Sequence, residues 1–109
     1  MPESDIAALP PAQCPDMPTL RAQIDRLDRA LVALIAERVG YIARAAEIKK
    51  ARSQVHDSAR IEDVVAKVSA SAREHGIPTE LVEPVWRELI ARSIAYEFKR
   101  FDARADRVA

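Results

Sequence analysis

Cysteine is nearly absent from this 109-residue chain: Cys14 stands alone, which excludes an internal disulfide and a cysteine-based zinc site. Glycine is equally scarce, at two residues, and aromatic side chains make up only 5%. That shortage disfavours a strand-rich fold. Neither sign of charge is in excess. With 17 Lys+Arg against 17 Asp+Glu, no global field holds nucleic acid or an anionic membrane, so any cationic function must be local. No apolar run is long enough to span a bilayer, and the opening "MPESDIAALP" lacks the basic segment and apolar stretch of a signal peptide. A cytoplasmic protein is expected.

What the chain has in quantity is apolar residues, at 49%, and charge, at 31%. That balance suits helices packed on helices in one all-α domain with a modest core. Five of the seven prolines fall in the first eighteen residues. Residues 1–17 therefore read as an extended, flexible Pro-rich arm, and residues 18–109 as the helical domain. Pro18 suits the first turn of a helix, with Asp16 or Met17 near the cap.

Three helices are expected. The first runs from about residue 19 to about residue 52, where Leu20, Ile24, Leu27, Leu31 and Leu34 step by four and three in a coiled-coil-like stripe. "SQVHDSAR" breaks the pattern, and Asp57 or Ser58 is the N-cap of a second helix. Ile61, Val64, Val65, Val68 and Ala72 share one face of that helix, which stops at "HGIP" with Gly76 as its C-terminal signal. The third starts between residues 79 and 83 and ends near residue 103. Pro84 leaves its start open, because a proline beyond the first turn removes a backbone hydrogen bond. Its inward stripe is Val82, Val85, Trp86, Leu89, Ile90, Ser93, Ile94, Glu97, Phe98 and Phe101. At about 1.5 Å per residue the first helix is roughly 50 Å long and the second about half that. A long apolar stripe beside a short partner stays uncovered in a monomer, so a homodimer with intertwined first helices is expected.

Polar residues fall within these apolar stripes. Arg38 and Lys49 are eleven positions apart, about three turns plus 20°, so both project from one face roughly 16 Å apart along the axis. The space between their heads fits a small dianion, with Ala45 and Ala46 leaving room for it. Either cation alone could equally snorkel to the surface or pair with an acid of a neighbouring helix. Arg60 lies one turn before Val64, beside the apolar face of the second helix, and Asp57 precedes it by three residues, where a simple cap is the favoured reading. Ser93 and Glu97 lie four apart on the third helix; an ion pair with Lys49 or Arg100 accounts for Glu97 without any ligand. Taken together, two arginines, a lysine, an acid and a hydroxyl form a buried polar cluster that is expensive unless something anionic neutralises it. Arg21 precedes Arg38 by seventeen residues, about 25 Å along the helix and turned by about 100°. One small ligand cannot touch both from a single helix. In an antiparallel dimer Arg21 of the partner subunit reaches the far end of the pocket; otherwise it is an ordinary surface arginine.

This pattern resembles the all-helical, type II chorismate mutases, a family that includes the similar isochorismate-pyruvate lyases. The resemblance covers roughly residues 18–103. It rests on "LRAQIDRLDRALVALIAER", with Leu20-Arg21, Ile24-Asp25, Asp28 and Glu37-Arg38, then Lys49, then "VHDSAR". The separations Arg21–Arg38 and Arg38–Lys49 agree with the family pattern without a gap; Asp57 and Arg60 match after a one-residue gap. Ser93 matches a position on the third helix that helps hold a carboxylate. Two positions depart from the pattern. Ile61 stands where many mutases carry a glutamate for the ring hydroxyl and the lyases tend to be apolar, and Glu97 stands where glutamine is frequent.

The resemblance implies three helices per chain, an intertwined homodimer, no cofactor and the Claisen rearrangement of chorismate to prephenate. Such a pericyclic step needs no nucleophile or metal, only a folded substrate conformer and donors aimed at the breaking ether bond. By the same resemblance Arg38 and the partner's Arg21 hold the substrate carboxylates, with Arg60 and Ser93 assisting. Lys49 donates to the ether oxygen and a carboxylate, and Asp57 accepts from the ring hydroxyl. Glu97 donates to the ether oxygen, for which it must carry a proton. The rival readings are an isochorismate-pyruvate lyase, an enzyme acting on an amino-substituted chorismate, and a non-catalytic helical dimerisation module. The last explains the leucine stripe but not the cations within it.

Overall fold

Asp16 starts the first helix. In a computed structural model of the chain, which describes residues 6–105, its Oδ1 accepts the amide N–H of Thr19 at 2.8 Å, satisfying a donor that the helix itself leaves orphaned. Bonds from the Thr19 side chain and amide hold the Asp16 carboxyl below the usual carboxylate range. Helix α1 spans Met17–Ile48, with Pro18 in the first turn, where its missing N–H is harmless. Helices α2, Ser58–Glu74, and α3, Thr79–Asp102, follow. Short 3-10 turns occupy Pro11–Gln13 and Arg52–Gln54. Among the described residues there are three α-helices and no strand.

The chain forms two compact units, Met1–Gly40 and Tyr41–Ala109. In the first, the proline-rich segment is not simply extended. The buried Gln23 ties it back, its Nε2 donating to the Ala7 carbonyl at 3.1 Å and its Oε1 accepting the Leu9 amide at 3.3 Å. Arg26 Nε donates to the same oxygen at 3.0 Å. Residues 1–5 of the expected arm and residues 106–109 of the expected helical domain lie outside the described residues. The leucine stripe of α1 stays in water: Leu27, Leu31 and Leu34 are 50%, 53% and 61% exposed.

In the second unit α2 and α3 pack together around Val65, Ala72 and Ile90, joined there by the fully enclosed Ala46 and by Val55. The expected apolar faces are the ones turned inward, although Val85 remains exposed. Asp57 is the N-cap of α2, its Oδ1 accepting the Arg60 amide at 3.0 Å. Helix α2 stops where glycine permits it, with Gly76 at φ +71° and the Ile77 amide donating to the Ala72 carbonyl at 3.0 Å, as in Schellman-type endings. Helix α3 begins at Thr79 and carries Pro84 in its interior. The proline therefore does not set the start of the helix. On the outer surface Arg87 Nη1 and Nη2 each reach a Glu62 carboxylate oxygen at 3.1 Å, linking α3 to α2. That pair holds Glu62 below the usual range and raises Arg87.

One boundary departs from expectation. Helix α1 ends at Ile48 rather than near residue 52, which leaves Lys49 just outside it. The side chain of Gln54 takes up the amides that follow, its Oε1 accepting from Lys50 at 2.8 Å and Ala51 at 3.0 Å.

Two stability measurements follow from these caps. A Cβ on Gly76 would meet no atom within 4 Å, so Gly76→Ala lowers the unfolding free energy through its backbone alone, by about 1–2 kcal/mol in urea denaturation. Because the folded Asp16 carboxyl titrates below its unfolded value, its contribution is complete above the ordinary carboxylate range and is lost as pH falls through the folded value. Asp16→Ala accordingly lowers Tm at neutral pH, and thermal scans at successively lower pH show the difference from wild type closing.

Candidate active site

Ser93 and Glu97 lie one turn apart on α3 and, with Ile90, are its buried residues. A carboxylate in such a place needs a compensating cation. Lys49, the first residue beyond α1, supplies it, its Nζ lying 2.6 Å from Glu97 Oε2. The Glu97 side chain is 5% exposed and that of Lys49 27%, so the pair is closed on the glutamate side and open to solvent on the lysine side. The Ser93 hydroxyl donates to the Leu89 carbonyl of its own helix at 2.7 Å.

Lys49 also lines an open concavity of about 460 Å³ together with Ser53, Gln54, His56, Asp57 and Ser58. Asp57 thus both caps α2 and stands on the wall that Lys49 shares. His56 lines a neighbouring, more apolar concavity of about 320 Å³ with Ile61, Arg87, Ile90, Ala91 and Ile94. The apolar residue at position 61 is therefore a wall residue, not a core filler.

Of the seven residues singled out from the sequence, the structure brings Lys49 and Glu97 into contact, puts Ser93 on the turn beside Glu97, and sets Asp57 on the Lys49 concavity. Arg60 is turned elsewhere. Its Nη1 bonds Asp63 Oδ2 at 2.6 Å on the exposed face of α2, and Lys67 Nζ reaches the same oxygen at 3.0 Å. Lys67 first and then Arg60 hold the Asp63 carboxyl below the usual range. The competing acid, three residues on in "RIED", was visible in the sequence. Arg21, exposed, and Arg38, half-buried, belong to the first unit. Ser53, Gln54 and His56 were not anticipated as wall residues, because nothing in their spacing marks them. Among the described residues no group of three or more His, Cys, Asp or Glu side chains is placed to hold a metal ion, and no helix is long and apolar enough to cross a membrane.

The family model for chorismate mutase type II matches residues 20–98. The chain belongs to that family. Two curated proteins are similar to this type II chorismate mutase family member. One is the T-protein of Enterobacter agglomerans, 30% identical over 83 residues, which is 75% of this chain but only 22% of that protein. The other is the isochorismate pyruvate lyase of Pseudomonas aeruginosa, 25% identical over 89 residues, covering 82% of this chain and 88% of the lyase. The chain thus spans about a fifth of the first relative and most of the second.

The closed side of the ion pair gives a stability test. Lys49→Ala leaves the Glu97 carboxylate buried without this partner and lowers the unfolding free energy by about 1–3 kcal/mol. Glu97→Gln keeps an acceptor for Lys49 and removes the buried charge, so urea denaturation gives it the smaller loss of the two.

Proposed function

We propose that the protein is a chorismate mutase that rearranges chorismate to prephenate by holding the reactive conformer and stabilising the breaking ether bond, without a cofactor. The observation that carries this reading is the Lys49–Glu97 pair, 2.6 Å apart with the glutamate out of water and the lysine facing a concavity, in a chain of this family. A lysine ammonium held by a buried acid and open to a concavity suits an oxygen that gains negative charge as its C–O bond breaks. Lys49 donates to that oxygen and to a substrate carboxylate. Glu97 is the second donor to it, in the form that carries a proton. Ser93 assists from the adjacent turn, and Asp57 accepts the ring hydroxyl. Arg38 holds a carboxylate. For Arg60 to assist there, its side chain must leave Asp63, a rotation that an exposed arginine makes readily.

The working enzyme in this reading is a cytoplasmic homodimer with intertwined first helices, in which Arg21 of the partner subunit completes the carboxylate site. Residues 1–17 are an arm and residues 18–109 the catalytic domain. The exposure of Leu27, Leu31 and Leu34 supports the dimer, since a stripe of that length in water marks an association surface. A second reading, isochorismate-pyruvate lyase, draws on Ile61 in the wall of the apolar concavity and on the similarity over most of that relative's length. Asp57 on the Lys49 wall favours the mutase, because it offers an acceptor to the chorismate hydroxyl.

Purified protein incubated separately with chorismate and isochorismate decides between them: the mutase reading expects the higher kcat/KM on chorismate with prephenate as product, and salicylate with pyruvate from isochorismate would replace it with the lyase. Arg38→Ala and Lys49→Ala each lower kcat by about 10²–10³-fold; losses below tenfold in a folded protein remove these residues from the site. A thermal shift with a bicyclic dicarboxylate resembling the transition state separates an enzyme from a structural module, which would not be stabilised.

A further inference from the structure

Helix α1 ends without any of the usual local devices. Its last turn holds no basic residue, and Lys49 and Lys50 follow where a glycine would ordinarily close it. The Ala45 carbonyl accepts the Lys49 amide at 2.9 Å. The next partner comes from the other end of the chain. Arg104 Nη1 donates to the Ala46 carbonyl at 2.9 Å and to the Lys49 carbonyl at 2.6 Å. Its guanidinium lies over the Phe101 ring, 4.3 Å from the centroid, and brings a positive charge to the negative end of the helix dipole. Three residues beyond Lys49, Arg52 reaches the Asp102 carboxylate at 2.9 and 3.4 Å and lies over Phe98 at 4.4 Å. The backbone is thus fastened at Lys49 and again three residues on, both times to the end of α3 from which Glu97 projects. The two fastenings differ in strength. Arg52 and Asp102 are more than half exposed and screened by solvent, whereas Arg104 is half-buried and bonds the Lys49 carbonyl directly.

We propose that Arg104 is the positioning residue for Lys49: by holding the Ala46 and Lys49 carbonyls it helps to stop α1 at Ile48 and fixes the root from which the ammonium reaches Glu97 and the substrate. The inference rests on the reading in which Lys49 touches the substrate. A lysine ammonium sits on a flexible four-carbon stem, so its aim depends on how firmly the backbone beneath it is held. The apolar pattern of the sequence runs on to about residue 52, and without Arg104 the helix is free to continue past Lys49. An ångström of displacement at a catalytic donor is enough to lower turnover by up to about 10²-fold.

The test uses the full chain, with steady-state kinetics on chorismate and thermal scans on each variant. Arg104→Ala lowers kcat by about tenfold or more while KM stays within about twofold, the signature of a lost transition-state interaction and not of lost binding. Arg104→Lys recovers part of the loss, since its ammonium can still donate to a carbonyl. Gly76→Ala serves as the control for loss of stability alone and keeps kcat within about twofold of wild type. In a Lys49→Ala background the further change Arg104→Ala has no additional effect on kcat, because both act through one group. Should Arg104→Ala not fold, Arg104→Gln, which keeps an N–H donor without the charge, is expected to show the same split between kcat and KM. The inference is overturned if Lys49→Ala is inactive while the Arg104 variants match Gly76→Ala, or if the Arg104 and Lys49 losses multiply. If Lys49→Ala itself retains full turnover, it is the active-site reading that fails.

Discussion

A carboxylate with 5% of its side chain in contact with solvent must have a cation or lose its charge. At Glu97 that requirement organises the second unit. The cation comes from Lys49, 48 residues earlier in the chain, so the end of α1 has to be delivered to the inner face of α3 near its C-terminal end. Ser93 lies one turn from Glu97 on α3, and Asp57, Ser53 and Gln54 share the Lys49 concavity. Replacing the pair with apolar residues would in general leave stability unchanged or improved. A pair of this kind is thus weak evidence for stability, and it is why the function is sought here.

Much of this arrangement was readable from residue spacing, because local rules decide it. Asp57 caps α2 through an amide three residues on, Gly76 adopts the positive φ that few other residues tolerate, and Ser93 and Glu97 share a face because four residues make about one turn. The features that spacing missed are decided by side-chain partners, some near and some distant in the chain. No glycine or basic last turn marks the stop at Ile48; the Ala46 and Lys49 carbonyls meet Arg104, 55 residues beyond Lys49, and the amides that follow meet Gln54. Arg60 lies beside the apolar face on a helical wheel, and Asp63 on the same helix offers its guanidinium a hydrogen-bonded partner in water. A wheel predicts the direction of a Cα–Cβ bond. It does not predict where six further atoms of an arginine come to rest.

The two ends of the site also differ in mechanical character. Glu97 projects from the interior of a 24-residue helix and moves only if that helix moves. Lys49 projects from a junction between elements, where the backbone is held by single contacts. The acid is thus set by a helix and the ammonium by the contacts that hold a junction. Ile61 and His56, on the walls, shape the space that a ring must fill.

The proline-rich segment before α1 illustrates how little is needed to order a chain that is already stiff. Pro10, Pro11 and Pro15 each lock one backbone torsion, so the unfolded segment has fewer conformations to surrender when Gln23 captures Ala7 and Leu9. A glycine-rich leader of equal length would demand a larger interface to stay in place. One glutamine amide, using both its donor and its acceptor, therefore acts as a latch on a pre-bent strap, and its removal would release some ten residues at once.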